Sequence, residues 1–291
     1  MYIITGATGH IGSIVAETLL SKGEKVMILT RSQEKGETWK KKGADVAVID
    51  VNDTSALHAV FMQGKRLFLL NPPAMPDSDM FAEEHKTMRS ILKALGGTQI
   101  EKVVAQSTYG AQPGKGSGDL NTLFDMEQGL DKTGIPATII RGAYYMTNWD
   151  MQLDTAQSKG IIYTMFPAGF MLPMIAPADL GELAAKLLLQ PVTETGLYYV
   201  EGPQRYSSAD VAEAFGEALH KRVEAVEIPE SQWTPSLEQL GFSEEAARSM
   251  AGMTSTTLHQ HFELPDEPYR GKTSLKKYIS QLVNSTVAAQ V

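Results

Sequence analysis

Three glycines near the start of the chain, Gly6, Gly9 and Gly12, have the spacing that could hold a pyrophosphate. They follow the apolar triplet at 2–4 and precede an amphipathic segment. In such a turn Gly6 and Gly9 leave room for a phosphate, Gly12 lets a helix pack on a sheet, and the N–H groups that open the helix face the anion. The alternative is a glycine turn without a ligand. The sequence favours a dinucleotide site formed by Gly6, Thr8, Gly9, His10, Ile11 and Gly12.

The end of the second predicted strand distinguishes the two common dinucleotides. An acidic residue there binds the ribose of NAD, whereas an arginine accommodates the 2′-phosphate of NADP. The sequence reads "ILTRSQEK", with no acid at 28–33, with Arg31 at the strand end and with Lys35 after it. Because a guanidinium binds phosphate through two hydrogen bonds, NADP is the expected cofactor and NAD the alternative.

The ends of the third and fourth predicted strands add polar and rigid residues to the same edge. Asp50 and Val51 follow strand three, where a dinucleotide's adenine would lie, and a solvated helix cap is the alternative for the carboxylates of this stretch. Strand four ends in Asn71, Pro72 and Pro73. Ligands bind at the carboxyl edge of open α/β sheets, so these five residues are assigned to the cofactor site.

A tyrosine–lysine pair for acid–base catalysis is missing from the sequence. A lysine four residues after a tyrosine can lower the tyrosine's pKa, so that the phenol can exchange a proton with an alcohol or carbonyl. None of the ten tyrosines has a lysine at that distance. Hydride transfer to a quinone or a dye needs mainly correct positioning of two planar rings. The sequence therefore favours easily reduced aromatic acceptors.

An aromatic stretch follows the sixth predicted strand and could hold such an acceptor. Its members, together with one residue from each of two nearby stretches, are assigned to a substrate pocket: Tyr109, Tyr144, Tyr145, Met146, Trp149 and Phe166. Phe170 and Met171 are weaker candidates for a lid. The alternative for the aromatic stretch is core packing between two lobes.

These residues need a parallel sheet to bring them together. Six short apolar runs alternate with helical patterns, which is typical of strands buried on both faces of an α/β sheet: 2–5, 25–30, 45–49, 66–70, 102–107 and 137–141. We predict a Rossmann-type doubly wound parallel sheet at 1–150. A smaller α+β lobe is expected at 151–291, with segments around 177–200 returning to the first sheet. A helix at 177–190 is expected to begin at Asp179 in a capping box with Glu182.

Composition narrows the class of protein. The net charge of −8 argues against binding to nucleic acid or to an anionic membrane. The absence of cysteine excludes disulfides and thiolate metal ligands, and the histidines at 259 and 261 have poor spacing for a metal site, so no metal is expected. No signal peptide pattern and no long apolar run occur, so a cytoplasmic protein is expected.

The motifs resemble the NmrA-like family, an atypical branch of the short-chain dehydrogenase/reductases. Besides "TGATGHIG", the blocks that carry the resemblance are "TR", "ID" and "LLNPP" after strands two to four, "STYGA" (107–111), "GIPATIIRGAYYMTN" (134–148), "PADLGELA" (177–184) and "YSSADVAEAFGEAL" (206–219).

Two functions follow from this resemblance. Members similar to this chain reduce quinones and azo or cationic dyes with NAD(P)H, without flavin or metal, and others bind NAD(P) without turnover and regulate through a protein partner. The resemblance also implies that Ser107, at the end of strand five, faces the reacting group and the cofactor, with Tyr109 and Tyr144 as further catalytic candidates. The alternative is that the hydroxyls at 107–109 bond to the local backbone.

Overall fold

A computed structural model of the protein describes residues 1–262 and 264–289. The strands of the described chain are β1 (Tyr2–Ile4), β2 (Val26–Thr30), β3 (Asp45–Val48), β4 (Arg66–Leu69), β5 (Lys102–Thr108), β6 (Ala137–Gly142), β7 (Tyr144–Tyr145), β8 (Ile161–Thr164), β9 (Leu172–Ile175), β10 (Gly196–Glu201), β11 (Arg205–Tyr206), β12 (Glu224–Glu227) and β13 (Tyr269–Arg270). The helices are α1 (His10–Ser21), α2 (Gln33–Lys41), α3 (Thr54–Phe61), α4 (Met80–Leu95), α5 (Asp119–Asp131), α6 (Leu153–Lys159), α7 (Pro177–Leu189), α8 (Ser208–Leu219), α9 (Trp233–Gln239), α10 (Glu244–Leu258) and α11 (Leu275–Ala289).

Eight strands form one parallel sheet in the order β13-β10-β6-β5-β4-β1-β2-β3. The chain therefore winds outward from β1 in both directions, which confirms the doubly wound α/β fold. The six predicted strands of the first half all occur. The carboxyl ends of β1, β2, β4, β5 and β6 meet at one edge of the sheet, where the predicted site residues follow them.

Both faces of this sheet are covered, because its strands carry apolar residues on both sides. Ile3, Leu67 and Val103 pack under α3, α4 and α5 on one face. Ile4 and Phe68 pack on the other face, together with the helices α1 and α7. α7 approaches α1 closely at Gly181, where an added Cβ would lie 2.6 Å from the Cβ of Ile14.

A third apolar cluster forms the C-terminal lobe. It contains Met146, Phe215 and Ile279 and lies among α6, α8 and α11. Two small sheets, β11-β9-β7 and β12-β8, complete this lobe. α7 and β10 lie with the large sheet, where β10 pairs with β6. The division of the chain at residue 150 stays a proposal.

The start of α7 differs from the sequence-based expectation. The helix begins at Pro177 after Ala176, so Asp179 is not its N-cap. The buried carboxylate of Asp179 instead accepts hydrogen bonds from the backbone N–H groups of Lys272 and Thr273 and from the hydroxyl of Thr273, each at 2.8 Å. A proline tolerates the first helical turn because it has no N–H to leave unpaired. The aspartate was therefore available to fix a distant segment.

Candidate functional site

The glycine turn joins β1 to α1 and is closely packed at two of its three glycines. Gly6 has a φ of +67°, which favours glycine, and its carbonyl accepts the N–H of Gly9 at 3.0 Å. A Cβ at Gly12 would overlap the carbonyl oxygen of Gly6. At Gly9, by contrast, a Cβ would meet protein only at ordinary contact distance, 3.5 Å from that oxygen. The fold itself requires glycine at 6 and 12, whereas Gly9 leaves open space toward solvent.

The first turn of α1 offers unpaired donors to that space. Within the described chain, no acceptor bonds to the N–H groups of His10, Ile11 or Gly12. Thr8, Gly9 and His10 are exposed, whereas the side chain of Ile11 is buried in the core beneath the turn. Ile11 therefore anchors the helix through its side chain and can contact a ligand only through its backbone. This arrangement suits an anion such as a pyrophosphate.

A cavity of about 390 Å³ continues from the turn along the sheet edge. Of the predicted cofactor residues, it is lined by Gly6, Thr8, Arg31, Val51, Pro72 and Pro73. Lys35 and Asp50 are exposed but lie outside this lining, and the carboxylate of Asp50 accepts the N–H of Asn52 at 2.9 Å. The Asp50 side chain thus stabilises the local turn.

Asn71, at the end of β4, carries an unpaired acceptor. Its side-chain amide donates to the carbonyl of Glu84 at 3.2 Å, while its Oδ1 is buried and has no partner among the described residues. A buried polar atom without a partner is costly unless a ligand or water satisfies it. The unpaired N–H groups of α1 and the exposed Arg31 fit a phosphate-bearing dinucleotide, whereas Asn71 is not in the lining of this cavity.

A second cavity, of about 250 Å³, lies at the ends of β5 and β6. We call it the aromatic cavity and define it by its lining: Thr108, Tyr109, Asp119, Leu120, Leu123, Ala143, Tyr144, Tyr145, Asn148, Phe166, Phe170, Met171, Leu172, Pro173, Met250, Met253, Thr254, Thr257, Gln260, Phe262 and Leu264. Five of the predicted pocket and lid residues beyond Tyr109 are in this lining: Tyr144, Tyr145, Phe166, Phe170 and Met171.

The rings in the aromatic cavity form a continuous wall. Tyr144 meets Phe166 edge to face, with 5.8 Å between ring centroids, and Phe166 stacks on Phe170 at the same separation. Burial raises the pKa of Tyr144 to about 12, so the phenol is a weak proton donor at neutral pH. Such a wall suits a planar aromatic ligand.

Tyr109 presents its ring to the cavity, and its hydroxyl is bound elsewhere. The hydroxyl donates to the buried carboxylate of Glu201 at 3.2 Å, and Arg205 and Arg270 pair with the same carboxylate. Burial, and then the negative charge of Glu201, raise the pKa of Tyr109 far above its ordinary value. The phenol is thereby kept from acting as an acid.

Ser107 lies away from both cavities. It is fully buried, and its hydroxyl donates at 2.5 Å to Glu127, which also binds Arg141 through two hydrogen bonds. Because β5 is continuous through Thr108, alternate residues face opposite sides, and Ser107 faces α5. The hydroxyl is thus bonded within the protein, and the facing of Ser107 toward the reacting group stays a prediction.

Met146 and Trp149 also fall outside the aromatic cavity. Both lie in the 3₁₀ segment Met146–Gln152 and are buried in the core of the C-terminal lobe. Trp149 reaches the cavity only through Tyr144, whose ring centroid is 6.0 Å away. Both side chains pack in this core, and their assignment to a substrate pocket stays a prediction.

The sequence pattern did not point to several residues that the fold brings to the aromatic cavity. Asp119 opens α5, and Met250 and Met253 come from α10. Their helices are readable from periodicity, yet nothing in the local pattern shows that α10 folds back across the sheet edge. Its N-terminus is fixed there because Ser243 bonds to the carbonyls of Pro76 and Ser78.

The described residues contain no group of three or more His, Asp or Glu side chains that could hold a metal ion. The rings of His259 and His261 stack at 5.6 Å, and Glu263, the third member of that stretch, lies outside the described residues. No helix in the described part of the chain is both long and apolar enough to cross a bilayer.

Comparisons with known proteins agree with this architecture. An NAD(P)H azoreductase of Xenophilus azovorans is 25% identical over 250 residues, 86% of this chain and 85% of that protein. Quinone oxidoreductase 2 of Escherichia coli is 22% identical over 253 residues, 86% of each. The crystal structure of Citrobacter sp. triphenylmethane reductase complexed with NADP(H) superposes with a TM-score of 0.81 at 19% identity, covering 97% of this chain and 99% of that one. The family model for NmrA-like proteins matches residues 2–278, and the chain belongs to the NmrA-like family.

Proposed function

We propose that the protein is an NAD(P)H-dependent reductase that transfers hydride to a quinone-like or dye-like aromatic acceptor. The observation that carries this proposal is the position of the two cavities. One follows the ends of β1 to β4 and includes the glycine turn, and the aromatic cavity follows the ends of β5 and β6 of the same sheet. A dinucleotide laid along this edge would bring its far end to the aromatic wall.

The names of the relatives support the acceptor class. The azoreductase, the quinone oxidoreductase and the triphenylmethane reductase are named for azo, quinone and triphenylmethane compounds. All three are conjugated compounds, and a wall built from Tyr144, Phe166 and Phe170 suits any of them.

Different residues of the chain would bind the dinucleotide and the acceptor. The N–H groups that open α1 hold the pyrophosphate, and Asn71 accepts a hydrogen bond through its unpaired Oδ1. When bound, the nicotinamide supplies the hydride. Tyr144 and its aromatic neighbours hold the acceptor ring and exclude water, and the chemistry proceeds without a tyrosine–lysine pair.

Arg31 would make NADPH the preferred form. The guanidinium is exposed at the rim of the first cavity, at the end of β2, and no carboxylate stands in its place. A 2′-phosphate there gains two charge-assisted hydrogen bonds, which NADH cannot make. NADH remains a weaker alternative donor.

The test is oxidation of NADPH, followed by its absorbance, with a quinone, an azo dye and a triarylmethyl dye. Turnover above background is expected with at least one of them. Phe170→Ala should lower acceptor kcat/KM about three- to tenfold through the lost ring stacking, and should leave the NADPH Kd unchanged. Tyr163→Ala, which removes an exposed ring outside the cavity, is the matched control.

The second candidate is a dinucleotide sensor that acts through a protein partner. It is favoured by the engagement of the Tyr109 hydroxyl with Glu201 and by the lack of a lysine partner for any tyrosine. Tight NADPH binding without turnover of any acceptor would contradict the reductase and leave the sensor.

A further inference from the structure

Two carboxyl groups, Glu84 of α4 and Asp119 of α5, lie between the aromatic cavity and a much smaller one. Asp119 lines both cavities, and Glu84 lines only the small one, whose volume is about 10 Å³. Glu84 is only 3% exposed, lines the small cavity together with Asp119, and is close enough for the carboxyl of Asp119 to raise its pKa. No Lys, Arg or His of the described chain forms an ion pair with either group.

Two neighbouring carboxyl groups, one of them buried and neither paired with a cation, cannot both be ionised without a large cost. Burial raises the pKa of Glu84 to about 9, and the neighbouring carboxyl of Asp119 acts in the same direction. The N–H of Ala74 donates to Glu84 Oε1 at 3.0 Å and opposes this shift only in part. Glu84 therefore carries its proton at neutral pH.

The surroundings keep the pair isolated from other charges. α10 packs against it with Ala246, Ser249, Met250 and Met253, which are uncharged. From the aromatic cavity the titratable group that faces Asp119 is Tyr145, whose pKa is raised by burial and then by the charge of Asp119. Tyr145 therefore stays neutral, and the proton held by the two carboxyl groups is the most readily released one beside the cavity.

We propose that Glu84 and Asp119 together supply the proton that a reduced acceptor takes up in the aromatic cavity. This inference rests on the proposed reductase function. With an azo acceptor, NADPH gives a hydride to one nitrogen, the N=N double bond becomes single, and the second nitrogen receives the pair's proton. The products are the hydrazo compound, NADP⁺ and a pair that carries one more negative charge.

The small cavity gives the pair a way to recover that proton. Its volume is close to the space that one water needs, and both carboxyl groups line it. A proton from solvent then restores the pair. Asp119 would touch the acceptor and act as the catalytic residue, and Glu84 would hold the proton through Asp119 and act as a positioning residue.

Three acceptors that differ in how strongly their reduced forms need a proton distinguish proton donation by Glu84 and Asp119 from a purely structural role. An azo dye becomes a strongly basic nitrogen anion after hydride addition, a quinone becomes a weakly basic phenolate, and a triarylmethyl cation becomes a neutral product that needs no proton. The variant is Glu84→Gln, since its Oε1 can still accept the Ala74 N–H and its amide can donate to Asp119. Asp131→Asn, an exposed change at the far end of α5, is the matched control.

We expect Glu84→Gln to slow azo reduction about 100-fold or more, to slow quinone reduction less, and to leave reduction of the cationic dye within about twofold. In the unsubstituted protein the azo rate should fall as pH rises through about 9, and this fall should be absent in the variant. Equal losses with all three acceptors, or an unchanged azo rate, would overturn the inference. No NADPH oxidation by the unsubstituted protein would instead overturn the proposed function, and this inference with it, before variants are compared.

A readout without turnover checks the same proton. The infrared carbonyl band of a protonated carboxyl group should be present at neutral pH in the unsubstituted protein and in Asp131→Asn, and absent in Glu84→Gln. If the band persists in Glu84→Gln, or is missing from the unsubstituted protein, the pair does not hold the proton. NADPH affinity, measured alongside, shows that the variant is folded.

Discussion

Residues of the same type differ in this protein in whether their polar groups are bonded to other protein groups. Tyr109 and Tyr144 both line the aromatic cavity, yet the hydroxyl of Tyr109 is bonded to Glu201. Arg31 and Arg141 are both at strand ends, yet Arg141 is paired with Glu127 whereas Arg31 faces the first cavity. The groups left without a protein partner are therefore the ones available to a ligand.

Arg31→Ala is the sharpest test at this scale. The change should weaken NADPH binding about 10- to 100-fold, because two charge-assisted hydrogen bonds to the 2′-phosphate are lost, and leave NADH binding nearly unchanged. Titration of both dinucleotides by fluorescence or calorimetry measures this. Lys41→Ala removes one positive charge from the exposed end of α2 and is the control. Equal weakening of NADPH binding and NADH binding would show that Arg31 does not bind the 2′-phosphate.

The glycine turn near the start of the chain could be predicted from the sequence because its residues are close together in the chain. Gly6, Gly9 and Gly12 are separated by a few residues, and their spacing reflects a single strand-to-helix junction. The pairing of Glu84 with Asp119 joins residues far apart in the chain, so no local pattern marks it. The bond from the Ser107 hydroxyl to Glu127 could not be predicted either, because it depends on the pairing of β5 and on the position of α5 against it.

At the scale of elements, α7 links the two halves of the chain. It packs on α1 through Gly181, and through Asp179 it fixes the segment that leads from β13 into α11. The helix itself was predicted at 177–190, close to its observed bounds, but its N-cap was wrongly placed at Asp179. The partner of Asp179 was not, because it lies more than ninety residues along the chain.

Asp179→Ala should destabilise the protein by about 3 kcal/mol or more, since it leaves two backbone N–H groups and the Thr273 hydroxyl without their buried acceptor. Urea unfolding followed by tryptophan fluorescence gives the free energy. Glu182→Ala, on the same helix, removes an exposed ion pair with Lys272 from the same segment and should change little. Similar losses in both variants would show that the buried acceptor is not what stabilises this segment.

At the scale of the whole molecule, the large sheet is completed by the second half of the chain. β10 pairs with β6 over Gly196–Val200, and β13 pairs with β10. The alternation of strands and helices in the first half was clear from the sequence. The addition of β13, two residues long, was not, because so short a strand has no period to detect.

Residues 1–150 expressed alone should not form a stable domain. The edge of β6 would lose its partner β10, and α1 would lose the cover of α7. We expect this fragment to bind hydrophobic dyes and to melt without a cooperative transition, in contrast to the full chain, as circular dichroism would record. A sharply melting fragment that binds NADPH would show that the boundary at 150 separates an independent domain.

The path of α10 has an evolutionary consequence. The N-terminus of α10 is hydrogen-bonded to the loop after β4, and its side chains line the aromatic cavity. The glycine turn lies some 230 residues earlier in the chain, roughly the length of a whole domain. Substitutions along Met250–Thr257 can reshape the space for an acceptor without disturbing the turn at Gly6. A lineage can therefore exchange one acceptor for another while it inherits its dinucleotide site unchanged.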